Sequence, residues 1–293
     1  MTESGVLSCV TCQAPARFRQ EQSLHLPRRL IMPIQQILTA CAIAALTVTA
    51  VLAQAAPGQA SSRAEINFEA PATDQYAAEI REGAVAAKAE IESFFGAPFP
   101  DPIHFKLVAN REDFDKALAK FDIRQSQCWM VGMGTADLIV VLSPQAWAKQ
   151  ACEHAVTDKE ATRRLVAHEL IHVYHGQFNA SRDFTGMDDL DWFVEGVAVF
   201  GSGQLTSQRL KEARDAEALG QAPVSLSKVW TGPNRYGFAG SLVQYIDSRW
   251  GRATTIRLLK VQTTAEALTL LGTNEDTLVN GWRTSLQGQT PKR

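Results

Sequence analysis

"TDKEATRRLVAHELIHVYHGQFN" (residues 157–179) decides how the rest of this chain is read. Thr157 followed three residues later by Glu160 fits a capping box, and Gly176 sits where a helix C-terminal glycine belongs. The span between them therefore predicts one helix, with Val166, Leu170 and Val173 giving it a buried side. Inside it lies His168-Glu169-Leu170-Ile171-His172. At 3.6 residues per turn, positions four apart differ by about 40° around the axis. Two imidazoles so placed can reach one zinc ion at Zn–N distances of about 2.0–2.1 Å. Glu169 projects from the flank of that face, where it can take a proton from a water rather than bind the ion. His175 lies three residues past His172, and as a further ligand it would close the site. It is expected instead to be a helix-end or cleft-lining residue.

A third ligand is expected in "DLDWFVEGVAVFGSGQL" (189–205), a largely apolar segment that reads as a helix. Its one interior acid, Glu195, stands among Trp192, Phe193, Val194, Val197 and Val199. Burying that carboxylate unpaired would cost several kcal/mol, and a metal removes the penalty. His168, His172 and Glu195 would make a His₂Glu set for one Zn²⁺ ion. The fourth position is then left to water, as in catalytic rather than structural zinc sites. Asp188, Asp189 and Asp191 are available to orient the ligand imidazoles.

His168–His172 followed by Trp192-x-x-Glu195-Gly196-x-Ala198 resembles the gluzincin metallopeptidases, and most of all their peptidase MA-like group. The resemblance covers the two motif segments and extends weakly to "RYGFAGSLVQYIDSRWG" (235–251). It implies a zincin-like fold, in which a small twisted sheet packs on the HExxH helix and a mainly helical C-terminal lobe closes a cleft. It implies that an edge strand holds a peptide or protein substrate by β-addition, with "CWMVGMGT" (128–135) as the candidate. The implied chemistry is hydrolysis by zinc-activated water, with Glu169 as general base and then proton donor to the leaving amine. The oxyanion donor implied by tyrosine-using members is Tyr236, ahead of Tyr174 and Arg235. Thermolysin-like members carry an Asp four residues after the ligand Glu. Val199 stands there in this chain, so no Asp is assigned by that route. A different class of protein, a binding or scaffold protein that holds metal without turnover, is the alternative.

Composition narrows the surroundings of such a site. The chain has 293 residues, 45% hydrophobic and 20% charged, with a formal net charge of −2. Its basic residues are scattered, so nucleic acid is not an expected partner. Near the N-terminus, "RRLIMPIQQ" leads into the apolar run "ILTACAIAALTVTAVLA" (37–53) and then small residues. That pattern predicts a secretory signal over 1–56, cut after Ala53, Ala55 or Ala56, with Met32 as a possible true start. A membrane anchor or a lipoprotein cut at Cys41 are the alternatives, and the run is short for a span. The exported chain would keep only Cys128 and Cys152, which an oxidising compartment would bridge.

The remaining periodicity places the other elements. Residues 74–100 space apolar side chains at three and four, predicting an amphipathic helix ended by Gly96. "IHFKLVA" (103–109) predicts a strand and "REDFDKALAKF" (111–121) a short helix. Residues 128–143 predict two strands around a tight turn. From Thr157 onward the signals are helical. Strands early and helices late give an α+β class, with a flexible lead-in over 57–73 and one domain over 74–293.

Overall fold

The computed structural model describes residues 64–288, apart from 122–124, 153 and 156–157. The export segment expected over 1–56 and the proposed cap Thr157 lie outside the described residues. The described residues fall within one compact unit. The architecture is α+β, a small mixed sheet followed by helices.

Chain order is β1 (Ile66–Glu69), α1 (Ala77–Phe95), β2 (Ile103–Val108), α2 (Arg111–Leu118), β3 (Gly132–Thr135), β4 (Leu138–Leu142), α3 (Pro144–Gln150) and α4 (Lys159–Phe178). The sheet runs β1-β2-β4-β3. β1, β2 and β4 are parallel, with Phe105 opposite Ile139, and β3 returns antiparallel with Gly132 opposite Val141. Alternation along the strands divides the core in two. Ile103, Phe105, Ile139 and Val141 face α1 and α4, meeting Ile91, Val166 and Leu170. Val108, Val140 and Leu142 face the other way, onto Phe114, Leu118 and Trp147.

Three expectations are corrected here. Ile66–Glu69 is a strand, not part of a flexible lead-in, because it pairs in parallel with Ile103–Lys106 of β2. The N-cap of α4 is Asp158, whose carboxylate accepts from Ala161 N at 2.8 Å and sits at the positive end of the helix dipole. Finally, Gly176 does not end the helix, which runs on to Phe178. A Cβ at 176 would stand 2.7 Å from both Ala136 N and Arg182 O. Those two atoms hydrogen-bond to each other at 2.9 Å, so glycine lets the bond pass against the helix.

The remaining helices are α5 (Asp191–Gly201), α6 (Ser207–Ala218), α7 (Arg235–Trp250), α8 (Arg252–Leu258), α9 (Thr264–Leu271) and α10 (Glu275–Leu286). α5 lies against α4 on one side and α7 on the other. Past the end of α4, Asn179 Nδ2 donates to Leu259 O at 2.8 Å and Val261 O at 2.9 Å, tying the histidine helix to the C-terminal helices. Among the described residues, no helix is long and apolar enough to cross a membrane.

Candidate metal centre

Helices α4 and α5 bring His168 and His172, one helical turn apart, together with Glu195, the acid of the apolar segment, in a group that could hold a metal ion. His168 Nε2 and His172 Nε2 stand 3.0 Å apart. Glu195 Oε2 lies 3.4 Å from the first and 3.7 Å from the second. Donors placed tetrahedrally around an ion at about 2.0–2.1 Å stand roughly 3.3–3.4 Å from one another. The three observed separations bracket that value, so the residues fit a divalent ion. Glu195 is less enclosed than its apolar neighbours suggest. Its side chain is 25% exposed and opens into a cleft, while both imidazoles are 8% exposed.

The charges interlock. Burial works to raise the Glu195 pKa, but His172 and His168 outweigh it and hold the carboxyl well below its usual range. Burial likewise opposes charge on His172, and the Glu195 carboxylate overcomes it, raising that pKa. Glu169 goes the other way. Burial pushes its carboxyl up and Glu195 adds to the rise, against the opposing pull of both histidines and the Gly134 amide. A carboxyl raised in this manner is more basic than one in water.

The edge strand explains how Glu169 is held. A Cβ on Gly132 would fall 2.5 Å from Glu169 Oε1, and one on Gly134 2.3 Å from the Glu169 carbonyl oxygen. Gly134 is therefore required by the helix backbone, against which β3 rides closely, while Gly132 leaves the room that the Glu169 side chain occupies. That differs from the expectation that they make room for a peptide.

The cleft encloses about 230 Å³ and is lined by His168, Glu169, His172 and Glu195 together with β3 and Tyr236. Tyr236 is half-buried. Burial, then Glu195, raises its pKa. Its ring is flanked by the guanidinium carbons of Arg209 at 4.4 Å and Arg235 at 5.1 Å. Tyr174 does not line the cleft. It stacks on Phe95 at 4.5 Å and donates to Ala97 O. Arg235 is not a lining residue either, although it stacks on rings that are.

The aspartates do not orient the ligand histidines. Neither His168 Nδ1 nor His172 Nδ1 has a hydrogen-bond partner among the described residues. Asp189 accepts from Thr264 N at 3.0 Å, and Asp191 lines the cleft. Around Asp191, burial and then Glu195, Asp188 and Asp189 raise its pKa to about 6. His175 is fully buried and outside the ligand set. It packs against Phe184 and Phe193. Burial and the nearby His172 lower its pKa to about 3. Neither ring nitrogen makes a hydrogen bond of good geometry, although the Leu259 carbonyl lies close enough to favour the proton slightly.

Sequence reasoning missed Phe184 and Trp230, which also line the cleft. Phe184 adopts φ 64°, a left-handed conformation rare for an aromatic residue, and its ring meets His172 edge-on. Nothing in "DFTG" announces that backbone. The Cys128–Cys152 bridge is formed, with Cα atoms 5.3 Å apart. It ties the segment before β3 to the loop before α4. Compared with known protein families, curated sequences and solved structures, the chain matches none.

Proposed function

We propose that the chain is an exported zinc metallopeptidase of the gluzincin type. One observation carries this reading: His168, His172 and Glu195 converge within bonding distance of one ion while Glu169 stands beside them in the same cleft. Two imidazoles, one carboxylate and an opening to solvent are the donor set of a catalytic zinc site. A bound zinc ion would polarise the scissile carbonyl and lower the pKa of water toward about 7. Glu169, made more basic by burial, accepts the proton of the attacking water and returns it to the leaving amine. Tyr236, in the cleft wall, donates to the developing oxyanion. The free side of β3, the last strand of the sheet, receives the peptide backbone. The bridged cysteines agree with an oxidising compartment.

Elemental analysis of the purified protein beside its Glu195→Ala variant tests the metal. About one zinc per chain is expected in the first, mostly lost in the second. A peptide-library digest tests the chemistry. Glu169→Gln is expected to keep the zinc and lower turnover about 10²–10⁴-fold, the range for a general base. Zinc bound without any Glu169-dependent cleavage would instead identify a metal-holding scaffold.

A further inference from the structure

Above the cleft, Arg235 is held by three rings. Its guanidinium carbon lies 4.9 Å from the centroid of Trp129, 5.7 Å from Trp230 and 5.1 Å from Tyr236. Two different parts of the chain build this seat. Trp129 belongs to the segment that leads into β3, and Arg235 opens α7. All three rings line the metal cleft. Arg209 covers the Tyr236 ring at 4.4 Å. Burial lowers the Arg209 pKa, Tyr236 and Glu212 oppose that, and the fields of Arg164 and Arg235 add to it, so two guanidinium groups, Arg209 and Arg235, share this wall.

Neither Arg235 nor Arg209 forms an ion pair with a carboxylate among the described residues. Among the described residues, Arg235 donates to Gly232 O at a long 3.4 Å. Of five N–H donors, most are therefore left over. Stacking on aromatic faces fixes a guanidinium plane while leaving its edge free, and that edge matches a carboxylate in a two-pronged hydrogen bond. Arg209 is already committed through Nη1 to Gln204 O at 3.0 Å, which makes Arg235 the principal contact.

We infer that Arg235, supported by Arg209, is a carboxylate-binding subsite, so the cleft selects peptides that present a carboxylate near the metal. The inference rests on the metallopeptidase reading for the identity of the ligand as a peptide. The carboxylate could be a chain terminus or an acidic side chain, and the same experiment separates them.

Binding is measured by calorimetry on the full chain carrying Glu169→Gln and supplied with zinc, so that no turnover intervenes. The probes are acetylated peptides of a few neutral residues, made as C-terminal acid and as amide, and amides bearing one glutamate. A carboxylate-bearing probe is expected to bind about tenfold or more tightly than the neutral amide. Preference for the acid identifies the terminus, and preference for the glutamate amide identifies a side chain. Arg235→Met should erase most of the difference and Arg235→Lys should keep part of it. On the Arg235-intact protein, raising salt from about 0.05 to about 0.5 M should shrink the difference several-fold, because exposed charges are screened. That measurement needs no folded Arg235 variant. Equal affinity for all probes, no binding of any, or a preference that survives Arg235→Met or ignores salt overturns the subsite. The metallopeptidase reading fails separately, when unmodified protein shows no cleavage that Glu169→Gln removes.

Discussion

At the scale of single residues, the candidate centre shows the same few ångströms pushing neighbours in opposite directions. Glu195 is held ionised by two imidazoles, while Glu169, one residue along from His168, is raised by burial. His175 gives the clearest consequence for stability. Its folded pKa, about 3, lies below the ordinary value of 6.5. The unfolded chain thus takes up a proton that the folded chain refuses, and stability falls as pH drops from about 6.5 toward 3. The full displacement is worth on the order of 5 kcal/mol. Melting curves of chelator-treated protein should therefore fall with acid, and His175→Leu should fall less steeply over that interval. Parallel curves would remove His175 from the explanation. His168, Glu169, His172 and Glu195 were legible because helical spacing is arithmetic and because a lone acid in an apolar helix demands a partner. The glycines of β3 were legible only as glycines, since their reason is a helix 35 residues further on.

Among elements, the contact of β3 with α4 has no slack. Gly134→Ala would press a methyl group against the Glu169 carbonyl and His172 Cβ, backbone and ligand together. Overpacking of this kind costs about 1–3 kcal/mol, and zinc content should fall with the melting temperature. Unchanged values for both would mean the strand can move away freely. The approach to β3 is secured twice. Besides the bridge, Arg111 donates to the carbonyls of Cys128 at 3.2 Å, Gln150 at 2.7 Å and Met130. Replacing both cysteines by serine opens a loop whose ends are 24 positions apart, a loss of about 2–4 kcal/mol. Zinc content should persist, since every ligand sits on α4 or α5. Thiol labelling under reducing and non-reducing conditions checks the bridge itself, and an equal count in the two would deny it. Strand β1 escaped sequence reading for a physical reason. Four residues offer two inward side chains, and their partner strand begins 37 positions later, beyond any local pattern.

For the molecule as a whole, an ion shared by α4 and α5 would join the helix that backs the sheet to the helical half of the chain. Removing it with a chelator should lower the stability by about 4 kcal/mol if zinc was present at a thousand times its dissociation constant. For a unit of this size that is roughly 8–16 °C in melting temperature. An unmoved melt would mean the ion carries no structural load. The order of strands before helices was legible from periodicity, and so was the α+β class. What closes over the cleft was not, because Phe184 and Trp230 reach it from loops, which have no repeat to read. Asn179 extends the same theme into time. Its amide meets the carbonyls of Leu259 and Val261, 80 and 82 positions downstream. At synthesis rates of about 5–20 residues per second, roughly 4–16 s separate the making of the histidine helix from that of its last anchor. The nascent protein thus spends seconds with its histidines made but their helix not yet fastened, and a chaperone or a premature ion would meet it in that interval.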